Sequence, residues 1–388
     1  KRLRDIVNSS PQVAYQISYG YDQLQNPPGC GAPCTSTYAA YVASKSRTTV
    51  FVGANDGMLH AFDGSATGGQ ELFSYIPNAV ISKLGRLPMQ GYTHTYFVDG
   101  TPAIGDAYLG AWKTLLVSSA GAGAHAVFAL DVTNPASFGT GSLLWEFNST
   151  VDPDMGQFTG IPSPPTLTSD GKWVTAFGNG YNGASNKAKL FVVNVADGTA
   201  LTVDPIADSA NAAPNGLSTA TIIDASGTCP SGGPPVCSDG VGDTIYAGDY
   251  LGNVWRFVLA SNRWQLSPTT PIFKAVDTWG HKQPITSGMF AIKNPLGGVI
   301  IYFGTGKYLA TGDNDPTQLQ PDGNPLVNSI YAVWDDGSGT AVTRGDLQQQ
   351  RVLSYTGGAF TITQNVFGYR TTAFPLGKMG WFLDLTVA

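Results

Sequence analysis

Apolar residues in this chain come in short runs broken by glycine-rich turns, and the stretch TTVFVGANDGMLHAFD at 48–63 sets the pattern. Val50, Phe51 and Val52 stop at Gly53, and Met58, Leu59, Ala61 and Phe62 resume directly after Asn55-Asp56-Gly57. Asp-Gly between two apolar runs predicts a β-hairpin, because Gly and Asn tolerate the positive φ that tight hairpin turns require. The same stretch gathers Asn55, Asp56, His60 and Asp63, a set that also suits a metal or an acid/base site. The hairpin explains them without chemistry, as turn and edge residues.

The pattern recurs in KTLLVSSAGAGAHAVFALD at 113–131, KWVTAFGNGYNGASNKAKLFVVN at 172–194, DTIYAGDYLGNVWRF at 243–257, and GVIIYFGTGKYL followed by SIYAVWD at 329–335. A shorter strand precedes each: SPQVAYQI at 10–17, TPAIGDAY at 101–108, SPPTLT at 163–168, STATIID at 218–224 and QPITSGMFAI at 283–292. Proline is tolerated at a strand's first residue, where no ladder donor is lost. A further strand follows several units, in ELFSYIP at 71–77, LLWEFN at 143–148 and RWQLSP at 263–268, and AFTITQNVFGYR with GWFLDLTV predicts a closing hairpin near the C-terminus. Five clear units and one weaker one, each too small to cover its own sheet, predict an all-β fold, a β-propeller with decorated loops. Such loops are where function is usually carried. The main helical candidate is the short NAVISKLGRLP at 78–88.

Composition agrees. With 388 residues, 42% hydrophobic and 12% charged, the chain can bury a large core, and 48 Gly with 25 Pro supply the turns. No apolar run approaches the ~20 residues of a membrane helix, and no signal peptide is visible at Lys1. Residues 1–388 are therefore expected to form one domain, cut from a larger precursor. A net charge of −6 with 21 Lys plus Arg spread along the chain gives no basic stripe for nucleic acid. The cysteines form two close pairs, Cys30 with Cys34 and Cys229 with Cys237. Two local disulfides fit these spacings and surroundings better than zinc, and they imply an oxidising compartment.

RLRDIVNSSPQVAY, VFVGANDGMLHAFD, YFVDGTPAIGDAYLGAWKTLLV, HAVFALDVTNP, WVTAFGNGYNG, DTIYAGDYLGNVWRF, QPIT and FGTGKYLATGD run in order from end to end. On these residues the chain resembles the C-terminal domain of the PilY and PilC family, type IV pilus biogenesis factors and tip-associated adhesins. The resemblance implies a modified seven-bladed propeller, exported and found with the outer membrane or at the pilus tip. It also implies a non-enzymatic role that promotes pilus assembly or opposes retraction, with pilins, minor pilins and a host-cell or surface receptor as partners. The family's calcium loop would lie between the strand ending at Asp224 and the strand starting near Thr244. There Asp224, Asp239, the main-chain carbonyl of Val241, and Asp243 would be the oxygen ligands, curling round one hard cation. This sequence departs from the family in an insertion bounded by Cys229 and Cys237 and in Ser226 at a position usually Asn or Asp. A disulfide closing the insertion would bring the two halves of the loop together, while the lost ligand would weaken affinity.

Other motifs carry less. Asp313-Asn314-Asp315 alternates acids but lacks a downstream carboxylate, and reads as an exposed loop. Arg344-Gly345-Asp346 is an integrin-type tripeptide, too short to signify alone. His60, His94, His125 and His281 lie in different units, with His60 and His125 at comparable places in a hairpin's second strand. No nucleophile elbow or phosphate loop is present. A rival reading from another class is a quinoprotein dehydrogenase, since FVGANDGMLHAFD also resembles the repeat of quinone-binding propellers. Those enzymes carry adjacent cysteines, which this chain lacks, so the shared repeat reads as shared architecture.

Overall fold

The computed structural model describes all residues except 1–2, 25, 32–33, 158, 202, 204–205, 207–212, 226–239, 314, 316–317 and 386–388. Among the described residues there are five sheets of three to five strands and one separate two-stranded hairpin. The first sheet runs Gln12–Ala14, Thr49–Ala54, Met58–Asp63, Glu71–Tyr75, and the second Ala103–Tyr108, Trp112–Ser119, Ala126–Asp131, Leu143–Asn148. Thr166–Leu167, Trp173–Gly178 and Leu190–Asn194 form the third; the fourth is Leu217–Ile223, Thr244–Asp249, Asn253–Ala260, Arg263–Leu266, with Phe273–Lys274 paired to its third strand. In the fifth, Phe290–Lys293, Val299–Gly304, Ser329–Asp335 and Gly380–Asp384 lie antiparallel, and Gln348–Gln350 joins parallel to the last. The Asn55–Gly57 turn forms as expected, with Gly57 at φ +98°, where a Cβ would also meet Leu84 Cδ2 at 2.4 Å.

Strand alternation builds the seams between sheets. In the second sheet Leu116, Phe128 and Leu130 pack against Phe51, Leu59 and Ala61 of the first, while Val117, Val127 and Ala129 pack against Phe177, Phe191 and Val193 of the third. Neighbouring residues on a strand thus face opposite neighbours, as a period of two dictates. The fourth sheet repeats this, with Ile245 and Ala247 turned to the third sheet and Tyr246 to the fifth. Because both faces are covered, Ala103–Tyr108, Trp173–Gly178 and Thr244–Asp249 are buried at every position. Fully burying each large apolar side chain in such a seam contributes about 1.5–3 kcal/mol. Stacked, twin-faced sheets with short antiparallel strands are the all-β propeller arrangement expected.

Two features differ from the sequence reading. Gly380–Asp384 does not form a hairpin with AFTI; it inserts beside Ser329–Asp335, with Phe382 buried and Gly380 at φ +128°. A Cβ on Gly380 would lie 2.0 Å from the Ala332 carbonyl oxygen, so only glycine permits this approach. Ala359–Ile362 pairs instead with Val352–Thr356 in an exposed hairpin. The second difference is a helix, Tyr38–Ser44, capped by Thr37, whose hydroxyl accepts from the Ala40 N–H at 3.3 Å. Tyr38 donates to the buried carboxylate of Asp106 at 2.8 Å, and Lys45 pairs with the same carboxylate at 2.6 Å, tying the helix to the second sheet.

Candidate functional site

The stretch singled out as a cation loop leaves the fourth sheet between Leu217–Ile223 and Thr244–Asp249, whose ends pair as Ile223 with Thr244. Asp224 and Asp243 therefore flank the neck of the hairpin. Each carboxylate binds the opposite side: Asp224 Oδ2 accepts from the Gly240 N–H at 3.0 Å, and Asp243 Oδ1 from the Ala225 N–H at 3.1 Å. Asp243 Oδ1 also accepts from the Thr244 hydroxyl at 2.8 Å. Lys293, from the first strand of the fifth sheet, sets its ammonium 3.2 Å from Asp224 Oδ1. Gly240 takes φ +81°, and the Val241 side chain packs on the aromatic cluster of Tyr21, Tyr38, Trp112 and Trp173. Asp224 also opens onto a cavity of about 340 Å³ walled by Tyr19, Tyr21 and Pro165. Asp239, Ser226, Cys229 and Cys237 lie outside the described residues.

The donors that are described suit a hard cation in kind, since carboxylate oxygens from both sides of one neck converge on a short span. They do not make a cage by themselves: among the described residues no group of three or more acidic, His or Cys side chains is placed to hold a metal. Lys293 already sets one positive charge against Asp224.

A second cavity, of about 810 Å³, lies where the segments entering four of the sheets and the first strand of the fourth converge, at residues 7, 8, 10, 100–101, 160–161, 219 and 286–288. Its one charged wall residue among those described is Asp99. A polyanionic quinone would meet that carboxylate and no Lys, Arg or His there.

The model of the PilY1 beta-propeller domain family matches residues 3–364 of this chain. The chain belongs to the PilY1 β-propeller family. It is 37% identical over 408 residues to a type IV pilus biogenesis factor PilY1 homolog of Xylella fastidiosa, covering 99% of this chain and 26% of that protein. It is 35% identical over 429 residues to the type IV pilus biogenesis factor PilY1 of Pseudomonas aeruginosa PAO1, covering 99% of this chain and 34% of that protein. The chain thus spans about a quarter to a third of the length of these relatives. The crystal structure of the Pseudomonas aeruginosa PilY1 C-terminal domain superposes with a TM-score of 0.70 at 31% identity, over 90% of this chain and 74% of that one.

Within this propeller the remaining motifs are structural. Arg344 of the Arg-Gly-Asp tripeptide donates to Asp384 at 2.6 and 2.7 Å and to the Tyr331 hydroxyl at 2.7 Å, and its guanidinium lies 3.8 Å from the centre of the Phe382 ring. Asp346 is held by Arg370 at 2.6 Å and by the Thr343 hydroxyl and N–H. Both side chains an integrin would need are spent on the fold. Asn55 donates to Asp5 and accepts from the Phe97 N–H, and Asp63 pairs with Arg47. Cys30 and Cys34 form the expected disulfide. Asp313 is less exposed than its loop suggested, closing a turn on the Leu309 and Ala310 N–H groups and on Lys307.

Sequence reasoning missed what the histidines do. His60 is buried within its strand and sits between two carboxylates, Nε2 3.0 Å from Asp56 and Nδ1 2.7 Å from Glu71. His125 lies outside the strand, its Nδ1 donating to the Met155 carbonyl, so the two are not equivalent. His281 is also set between two carboxylates, with the nitrogens exchanged: Nδ1 lies 2.8 Å from Asp277 and Nε2 3.0 Å from Asp322. The signal was the Asp-x-x-x-His spacing shared by 56–60 and 277–281.

Proposed function

We propose that this chain is the non-enzymatic propeller domain of a type IV pilus biogenesis factor and tip adhesin, promoting pilus assembly or opposing retraction through contacts with pilins and minor pilins. Identity of 35–37% across 99% of the chain to proteins named for pilus biogenesis carries this reading. The Cys30–Cys34 disulfide supports export to an oxidising compartment, at the outer membrane or the cell surface. Among the described residues no helix is long and apolar enough to cross a membrane. Cells whose copy of the protein lacks residues 1–388 should bear fewer surface pili by electron microscopy; unchanged pilus numbers would end the pilus role.

Calcium is the modulator we assign to the neck, with Asp224, Asp239, the Val241 carbonyl and Asp243 as the residues that would hold it. When bound, a divalent cation supplies charge neutralisation for carboxylates drawn together at one neck. Asp224 and Asp243 themselves join the two sides of the hairpin through Gly240 and Ala225, so the charge balance there bears on how the neck is held. Calorimetric titration should give calcium heat with the wild type and none with Asp243→Ala or Asp239→Ala, at unchanged circular dichroism. No heat from the wild type at millimolar calcium would refute the assignment.

A further inference from the structure

The central cavity of about 810 Å³ falls within the size range of small-ligand sites. Its walls combine three tyrosines, Tyr96, Tyr181 and Tyr308, with a ring of hydroxyls. The hydroxyls are oriented by the fold. Thr219 accepts from the Ile161 N–H at 3.2 Å, which leaves its proton to donate; Thr286 donates to the Gly306 carbonyl at 2.9 Å, which leaves its lone pairs to accept. Tyr308 is 74% exposed, and it stands on the turn that Asp313 braces through Leu309, Ala310 and Lys307. An exposed aromatic ring on a braced turn costs little ordering entropy on binding.

The chemistry of this wall selects among ligands. Asp99 repels anions, and no cationic side chain among the described lining residues offsets it. Aromatic faces favour an apolar surface, and one hydroxyl fixed to donate beside another fixed to accept favours a partner that does both. A sugar presents C–H faces and hydroxyls together. We propose that the central cavity binds a neutral oligosaccharide, with Tyr308 as the exposed stacking platform and Thr219 and Thr286 as hydrogen-bonding partners. The site shares no residue with the Asp224–Asp243 neck, so it goes beyond the pilus and calcium reading and can fail independently of it.

The 388-residue chain should be applied to an array of neutral fragments of bacterial surface polysaccharides, neutral host-type oligosaccharides, and sialylated or uronic-acid counterparts. Neutral sugars are expected to be retained, and the arm that retains them identifies the source. Tyr308→Ala should weaken binding about tenfold or more, and Ser287→Trp, which fills the cavity wall, should abolish it. Calcium titration should be unchanged in both. Tyr308→Ala removes an exposed ring, so the test stands even where Ser287→Trp fails to fold. Retention of acidic glycans alone, retention of none, or retention indifferent to Tyr308→Ala overturns the proposal.

Discussion

Two hairpins, in the first and fourth sheets, both gather carboxylates at their ends, yet they balance the charge differently. In the first, Asp56 sits in the turn and meets His60 four residues on, and His60 meets Glu71 on the next strand. All three belong to one sheet, and His60 and Asp56 are only 2% and 6% exposed. In the fourth, Asp224 holds the Gly240 N–H and Asp243 the Ala225 N–H across the neck, and the cation beside Asp224 is Lys293, reached from the fifth sheet and 23% exposed. A carboxylate whose counter-charge is buried on its own hairpin is committed to the fold. One whose counter-charge reaches over, partly exposed, from a neighbouring sheet can exchange it for another cation.

The largest test of that contrast is Asp56→Ala. Removing one member of a buried pair strands the other, and such losses run to about 3 kcal/mol or more. Urea unfolding should show that drop for Asp56→Ala. Glu71 is 34% exposed, and Glu71→Ala should cost about 1 kcal/mol or less. Equal costs for the two would mean that burial does not set the commitment.

Much of the fold was legible because it is local. All five leading strands and their hairpins follow from short apolar runs bounded by Gly and Pro. The helix Tyr38–Ser44 escaped because YAAYVAS is short and anchored by tyrosines, with only Thr37 to mark its start. The closing strand escaped for another reason: nothing local to Gly380–Asp384 says that its partner is Ser329–Asp335. The site shows the same division. Asp224 and Asp243 could be placed at a neck because the strands beside them were readable. Lys293, 69 residues from Asp224 in sequence, could not, nor could Asp384 as the partner of Arg344. Asp239 lies outside the described residues, so its place in the ligand set rests on the resemblance and the titration.

A smaller effect probes the fourth-sheet side of the comparison. Lys293→Gln removes the ammonium 3.2 Å from Asp224 while keeping a polar side chain of similar reach. If Lys293 and calcium answer the same charge, calcium should bind about tenfold more tightly to the variant at low salt. The gain should shrink as salt rises, because Lys293 is partly exposed. Weaker binding in the variant would make Lys293 an organiser of the neck, and the exchangeable-cation contrast would fall.

The smallest effect is one of pH, and its sign follows from the first hairpin. A neutral imidazole has one N–H, yet both His60 nitrogens face carboxylate oxygens, so the protonated ring satisfies the site best. Burial alone would push the His60 pKa down, but the hydrogen bonds to Asp56 and Glu71 outweigh it and hold the pKa above the ordinary histidine value. A raised folded-state pKa contributes stability that is complete below the unfolded value of about 6.5 and is lost as pH rises through the folded value. The melting temperature should therefore fall by about 1–2 °C across that window, and His60→Gln should remove this part of the slope. His281 is raised in the same direction, against the effect of burial, by Asp277 and Asp322. Because Asp322 is 45% exposed, His281→Gln should flatten the profile less. A profile left untouched by His60→Gln would show that Asp56 is balanced by something other than the imidazolium, and the distinction between the two hairpins would lose its physical basis.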